Sequence, residues 1–419
     1  MWRGRAAGMC NDDSRSSSQL HSFAITGTRL KGRSIRCSSI LFAAIVLLAG
    51  AGFAQTPTQA DPSGDVVADP GPVAHLSPAL KPGDVRKAIR KVADWQLNAA
   101  ESRFSLDWTY AALYDGLLAA SRATGDLRYH DAVMHFAERS EWKLGPRFGH
   151  ADDEAVAQSY LELDMEHPAP ERVAAIQAEA DKLLARPDDP AKDLWWWCDA
   201  LFMGPPVWAR LYRATGEKLY LDYMDREWWI TSNLLYDPQE HLYFRDASYL
   251  QKTEAKGKKL FWSRGNGWVM ASLARVLEEI PEDYPTRPKY VEQYRQMAER
   301  VTALQGADGL WRSGLLNADA YPLPEVSGSA FFVYSLAWGV DHGLLDRATY
   351  LPVVQKGWKG LVSHIYVDGR LGCIQPIGGA PGDFKPSSSY VYGVGAFLLA
   401  GSEVDGLSQG KSAPHGNAH

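Results

Sequence analysis

From residue 85 onward, apolar side chains recur every three or four positions, the period of helices that bury one face. Trp108-Thr-Tyr-Ala-Ala-Leu-Tyr-Asp-Gly-Leu-Leu-Ala-Ala-Ser-Arg122 reads as one such helix. Thr124-Gly125-Asp126 stops it, since Gly reaches the left-handed backbone that closes a helix, and a second helix runs from Tyr129 to Arg139. The phrase returns in Val207-Trp-Ala-Arg-Leu-Tyr-Arg-Ala-Thr-Gly216, followed by a helix starting near Tyr220. Ala271-Ser-Leu-Ala-Arg-Val-Leu-Glu-Glu-Ile-Pro281 is a third version, ended by Pro. Strand patterns are few: Leu242 to Arg245, and Leu361 to Tyr366. A helix–turn–helix phrase repeated along one chain points to a repeat architecture.

Polar or aromatic clusters head alternate helices. They are Trp108, Asp152 with Asp153, Asp199, Arg264 with Trp268, Ser327 with Gly328, and Ser389 with Tyr390. Markers 108, 153, 199, 268, 327 and 390 are 45 to 69 residues apart, room for one helix pair each. Six such pairs fill the chain. Two concentric rings of six helices would bring all six clusters to one mouth. The expected fold is all-α, an (α/α)6 barrel over residues 85–405, with a less closed helical array as the alternative.

The ends read differently. Arg29, Lys31, Arg33 and Arg36 precede the apolar run Ile40 to Ala49, and Gly52-Phe53-Ala54 supplies small residues before Gln55. This is the layout of a secretory signal peptide over residues 1–54, with a membrane anchor as the other reading. The expectation is export, to the periplasm or the medium, with no membrane contact after cleavage. Residues 55–84 are rich in Pro, Gly and Ala and read as a flexible linker, and 406–419 as a disordered tail.

Charge narrows the partners. The 419 residues carry 44 Lys and Arg against 50 Asp and Glu. Loss of the leader leaves 37 against 48, a net −11. Such a surface repels polyanions, so nucleic acid is not an expected partner, while a short anionic substrate needs only local Arg. Fifteen Trp and 19 Tyr fit either a deep core or a sugar-stacking cleft. Cys198 and Cys373 are the cysteines beyond the leader and read as two buried thiols. No His and Cys pattern has zinc spacing, and there is no phosphate loop, Gly-x-Ser-x-Gly or HExxH, so no metal or cofactor is expected. One barrel buries its own core, so monomer and homodimer are both open.

The candidate chemistry lies in the helix-start clusters. Asp199 follows Trp195-Trp196-Trp197, where desolvation would raise a carboxyl pKa toward that of a general acid. Helix capping is the plainer reading of the same Asp. Asp152 and Asp153 open another helix, so either could form a carboxylate pair with Asp199 across a cleft, the usual glycosidase equipment. In Phe261-Trp-Ser-Arg-Gly-Asn-Gly-Trp268, the two glycines allow an unusual backbone and close ligand approach. There Arg264 could grip a carboxylate in bidentate fashion between Trp262 and Trp268, or stack structurally. Trp108, Trp197, Ser327 and Tyr390 complete the expected substrate-binding set, with capping the alternative for the polar ones.

Four motifs together resemble the unsaturated glycuronyl hydrolases, specifically the unsaturated rhamnogalacturonyl hydrolase family (glycoside hydrolase family 105, related to family 88). They are Trp197-Cys-Asp-Ala-Leu-Phe-Met-Gly-Pro-Pro, Phe261-Trp-Ser-Arg-Gly-Asn-Gly-Trp, Asp152-Asp-Glu-Ala-Val-Ala-Gln and Glu325-Val-Ser-Gly-Ser-Ala-Phe-Phe-Val-Tyr. The resemblance covers most of residues 90–400 and implies the (α/α)6 barrel. It also implies hydration of the C4=C5 bond of a non-reducing-end unsaturated uronic acid, followed by opening of the hemiketal and release of the aglycone. By resemblance, Asp199 is the general acid/base, Asp153 the second active-site Asp with Asp152 the other register, and Arg264, Trp268 and Trp262 are pocket residues. Many family members carry a His in the hairpin before Arg-Gly-Asn-Gly-Trp, where this chain has Arg245 and Asp246. The following sugar is therefore not implied; unsaturated glucuronyl hydrolysis of ulvan-like or glycosaminoglycan-like fragments stays open. A sugar epimerase on the same fold would rely on His bases, and the one His beside these motifs is His150, in Gly149-His-Ala-Asp-Asp. A non-catalytic sugar-binding protein would bind without consuming.

Overall fold

The computed structural model describes Gly64, residues 68–186 and residues 194–410. The expected leader, the start of the expected linker and residues 411–419 lie outside them. Helices dominate, in hairpins. They are α1 (Pro82–Ala100), α2 (Trp108–Thr124), α3 (Leu127–Arg139), α4 (Ala151–Glu154), α5 (Ala157–Glu166), α6 (Pro170–Leu184) and α7 (Ala200–Met203). The second half adds α8 (Pro205–Thr215), α9 (Lys218–Leu235), α10 (Ser263–Glu279), α11 (Arg287–Ala303), α12 (Val326–Asp341), α13 (Arg347–Val362) and α14 (Val391–Gln409). One small hairpin, β1 (Tyr236–Asp237) with β2 (Leu242–Tyr243), falls at the first expected strand.

The turn chemistry follows from the sequence. Asp107 caps α2 by accepting from Thr109 N at 3.0 Å, Gly125 closes it at φ 70°, and Asp126 caps α3. Gly216 closes α8 in the same way at φ 75°.

Packing sorts the long helices into two rings. Helices α2, α5, α8, α10, α12 and α14 contact one another in that order, and α14 closes back on α2. Helices α1, α3, α6, α9, α11 and α13 lie outside them. Burial agrees: α12 buries 15 of its 16 residues, whereas α11 buries only Tyr290, Gln293, Tyr294, Met297, Ala298 and Val301, one stripe at helical spacing. This is the expected (α/α)6 barrel. Every inner helix starts at the same end, which gathers the six helix-start clusters there.

Inner helices approach closely where glycines face each other. Gly116 of α2 meets Gly395 of α14, and a Cβ on Gly116 would lie 2.6 Å from the Gly395 carbonyl oxygen. A Cβ on Gly328 of α12 would lie 2.9 Å from Arg264 N at the head of α10. Gly265 and Gly267 were expected to give an unusual backbone, but both lie within helical α10. Gly265 admits the Cys198 sulfur and Gly267 admits Gly328, so they serve packing.

Three further expectations change. Leu361 to Tyr366 is no strand: α13 runs through Val362, and beyond it Ile365 and Tyr366 make single bridges. Within the expected linker, residues 72–74 pair with 365–367 (Ala74 N to Ile365 O 2.7 Å, Val367 N to Pro72 O 2.9 Å), and α1 begins at Pro82. At the other end α14 continues to Gln409, so the barrel extends past residue 405. Cys198 and Cys373 are both buried and unpaired. Among the described residues, no helix is long and apolar enough to cross a membrane.

Candidate active site

Two inner helices are preceded by single helical turns, α4 before α5 and α7 before α8. These turns pack against each other and carry Asp152 and Asp199 to adjacent places at the helix-start end. Asp199 stands at the N-cap position of α7 yet its side chain caps nothing. Its Oδ1 is buried without a hydrogen-bond partner, and its Oδ2 lies 3.8 Å from Arg245 Nε. The plainer, capping reading of this Asp is therefore excluded. Burial pushes the Asp199 carboxyl up to about 6, with Arg245 and then Arg264 pulling it back.

Asp152 is pushed up to about 7, first by burial; Arg147, 3.7 Å away, opposes this, and Asp199 adds to it. Asp152 is thus near enough for the Asp199 charge to raise its proton affinity. Asp153 was expected as the second acid; the structure ties it to the preceding loop. Its Oδ1 accepts from Arg147 N at 3.2 Å, its Oδ2 lies 2.6 Å from the Arg147 guanidinium, and its carbonyl accepts from Gly145 N at 3.0 Å. A Cβ on Gly145 would overlap the Asp153 side chain. Asp153 therefore anchors the loop at 145–150, and Asp152 is the carboxyl grouped with Asp199.

The 261–268 motif also differs from expectation. Both terminal nitrogens of Arg264 donate to main-chain carbonyls, Nη1 to Gln375 O (2.6 Å) and Nη2 to Pro376 O (2.8 Å). The guanidinium stacks between the rings of Trp262 (4.5 Å) and Tyr392 (4.8 Å). Arg264 is thus held as a fixed cation whose charge reaches Asp199, with both terminal nitrogens engaged by carbonyls. Trp268 is no sugar platform either: it is buried against Phe202 and Phe331, at ring separations of 4.6 and 4.2 Å. Trp262 is buried and donates its Nε1 to Gln375 Oε1 at 3.0 Å. Ser327 is fully buried and donates to Glu325 Oε1 at 2.7 Å, while Glu325 is the cap of α12. Tyr390, at the head of α14, stacks on Tyr392 at 5.7 Å.

Trp108 is half-buried and stacks on Tyr392 at 5.4 Å. Trp197 is buried, with its ring 5.1 Å from that of His150. Trp196, beside it, is 48% exposed and carries the Arg245 guanidinium 5.3 Å over its ring. The exposed Trp of the triplet was not singled out in the sequence, because three consecutive Trp do not reveal which one faces out.

Gln375 and Asn266 also organise the site, and neither was among the expected site residues. Gln375 holds Trp262 and Arg264, and its own N–H donates to Glu325 Oε1 at 3.1 Å. Asn266 pins the hairpin to α10, accepting from Tyr243 N (2.7 Å) and donating to Tyr243 O (3.1 Å). Asn266 stood out between its glycines, but its partner, 23 residues away, did not. Nothing in the sequence marked Gln375.

A profile of Glycosyl Hydrolase Family 88 matches residues 84–407. The chain belongs to Glycosyl Hydrolase Family 88. Two relatives, from Formosa agariphila and Alteromonas sp. (strain LOR), are each named unsaturated 3S-rhamnoglycuronyl hydrolase. The first is 40% identical over 79% of this chain and 93% of its own length. The second is 35% identical over 73% of this chain and 79% of its own length. A solved structure named as a polysaccharide lyase is 33% identical, with a TM-score of 0.74 over 78% of this chain and 98% of that one. This Family 88 protein is an enzyme of the unsaturated glycuronyl hydrolase type, acting on oligosaccharides that carry a 4,5-unsaturated uronic acid.

Proposed function

We propose that this Family 88 enzyme removes a 4,5-unsaturated uronic acid from a neighbouring rhamnose, preferring the 3S-rhamnose of its relatives' name, with Asp199 as the proton-transfer residue. The observation that carries the reading is the buried, uncapped carboxyl of Asp199 beside Asp152 at the shared mouth of the inner helices. Held near 6 by burial, that carboxyl is protonated often enough to donate. It gives its proton to C4 of the enol ether. The positive charge that develops at C5 is met by a water whose proton returns to the Asp199 carboxylate. Asp152 borders that water. The hemiketal then opens and the aglycone leaves as an alcohol, so the step consumes one water and no cofactor. Arg245 and Arg264 supply positive charge beside an anionic sugar in an otherwise acidic protein. On the leader reading, the enzyme is exported and meets these fragments in the periplasm or the medium.

The test follows the ultraviolet absorbance of the C4=C5 enol ether. The protein is incubated with lyase digests of rhamnogalacturonan, pectate, ulvan and chondroitin. Loss of absorbance on a rhamnose-containing digest is the expected result. Loss only on pectate or chondroitin digests would overturn the rhamnose assignment. A rise on intact polymer would make the protein a lyase, the class named for the related solved structure. Asp199→Asn should lower turnover by about 10²- to 10⁴-fold with the melting temperature preserved, and near-normal activity would remove Asp199 from the mechanism.

A further inference from the structure

The hairpin before α10 carries an Arg where the resemblance led us to expect a His, and the structure shows where it goes. Arg245 reaches back to the head of α7, with Nε 3.8 Å from Asp199 Oδ2. That Nε is buried and makes no hydrogen bond. The rest of the side chain is restrained from three sides. Nη1 donates to Asp246 Oδ2 at 2.6 Å, the guanidinium lies over the Trp196 ring, and a Cβ on Gly379 would come within 3.3 Å of Nε. The main chain is fixed as well. Cys198 N donates to Arg245 O at 2.8 Å, and Trp197 bridges Asp246 in antiparallel fashion. The backbone of the hairpin is therefore tied to the segment that carries the acid, and the guanidinium cannot swing away from Asp199 without giving up its Asp246 hydrogen bond and its place over the Trp196 ring.

We propose that Arg245 is a positioning residue for Asp199, and that the fixed positive charge it places beside that carboxyl sets the pH range in which the enzyme turns over. The inference rests on the assignment of Asp199 as the proton donor. The charged and titratable groups around Asp199 are few. Arg245 and Asp246 face it from the hairpin, Arg264 from α10, Asp152 from α4, and Cys198 precedes it in the chain. Arg264 is locked by main-chain carbonyls, and Asp246 opposes Arg245. Of the two cations, Arg245 has the larger effect on Asp199. A neutral side chain at 245 would leave Asp199 with two neighbouring carboxyls and one cation.

The sign follows from the donor role. Asp199 must be protonated for the first step, so kcat/KM falls as pH rises through its pKa, near 6. Removing the cation raises the proton affinity and moves that alkaline limb upward.

The test compares pH profiles of kcat/KM for Arg245→Gln, Arg245→Lys and Asp199→Asn in the full-length protein, on whichever lyase digest is consumed. Arg245→Gln should shift the alkaline limb up by about one pH unit or more, the usual effect of losing an opposite charge within 4–6 Å. Arg245→Lys, which keeps the charge, should leave the limb within about half that shift. An unmoved limb in Arg245→Gln, with the loss confined to KM, would make Arg245 a substrate contact and overturn the proposal. Failure of both Arg245 variants to fold would make the residue purely structural and overturn it too. The underlying assignment fails separately, by activity in Asp199→Asn.

Discussion

Glu325 offers the sharpest test of how the pocket is held. It has no exposed surface, and its two carboxyl oxygens accept four hydrogen bonds. Oε1 accepts from Ser327 N (3.2 Å), Ser327 Oγ (2.7 Å) and Gln375 N (3.1 Å), and Oε2 accepts from Gly328 N (2.7 Å). Glu325→Ala would orphan three buried amides and a hydroxyl. Each buried orphan costs about 1–3 kcal/mol. The variant recovers the desolvation of one buried carboxyl, and losses in one network do not add in full. The net expectation is about 3–4 kcal/mol. A cooperative unit of roughly 330 residues unfolds with an entropy of about 0.7 kcal/mol/K, so the melting temperature should fall by about 4–6 °C. The site should suffer beyond this, because Gln375 loses its anchor while its carbonyl holds Arg264 and its side chain holds Trp262. Turnover measured well below the melting range should therefore fall by about tenfold or more. Glu325→Gln keeps acceptor oxygen but turns an NH2 toward amide donors, so it should fall between the two. Thermal melts followed by circular dichroism, with enol-ether consumption measured in parallel, make the comparison. Glu325→Ala melting within 1 °C of the parent, with unchanged turnover, would refute the argument.

Two other predictions concern the barrel itself. Glu154 is buried with Oε2 accepting from Trp208 Nε1 at 3.3 Å and Oε1 unpartnered, and burial raises its carboxyl to about 7. The folded state therefore holds this proton more tightly than the unfolded chain does. The contribution is complete below the ordinary value of 4.5 and lost as pH rises through about 7. Glu154→Gln should be near neutral at pH 4 and stabilise by about 1–3 kcal/mol above pH 7, as chemical denaturation at several pH values would show; a difference that does not vary with pH would contradict it. Gly395→Ala would drive a methyl into the Ala112 carbonyl where α14 closes on α2. Backbone must move there, so destabilisation of about 2–4 kcal/mol is expected, and a melt unchanged from the parent would mean that the two helices are not held this closely.

Local chemistry was legible in the sequence wherever the determinant was local. Thr-Gly-Asp between Trp108 and Tyr129 specified a helix end and a new cap, since Gly alone takes φ 70° without strain and Asp accepts from the next turn. The spacing of helix-start clusters likewise announced six repeats, because a ring of hairpins puts the same end of every second helix at one mouth. The motif at 197–206 pointed to Asp199 and the one at 152–158 to a partner carboxyl. Which of Asp152 and Asp153 faces Asp199 was not written in either motif. The structure ties Asp153 to the preceding loop through the Arg147 and Gly145 amides, while Asp152 is the one whose carboxyl is raised by burial and further by Asp199.

The aromatic and cationic residues needed the tertiary structure. Trp268, Trp262 and Arg264 look alike as pocket candidates in a line of letters. Only the packing of α10 against α12 and the 375–376 segment sends Trp268 into the core and ties both ends of Arg264 to carbonyls more than a hundred residues away. Trp196 and Arg245 come forward for the same reason, through a hairpin pinned by Asn266. The sequence by itself determined the repeat and the helix ends, and brought Asp199 forward as a candidate, because caps, stops and hydrophobic period act over a few residues. Tertiary structure alone decided which side chains line the cleft, because burial and hydrogen-bond satisfaction are settled between segments far apart in the chain.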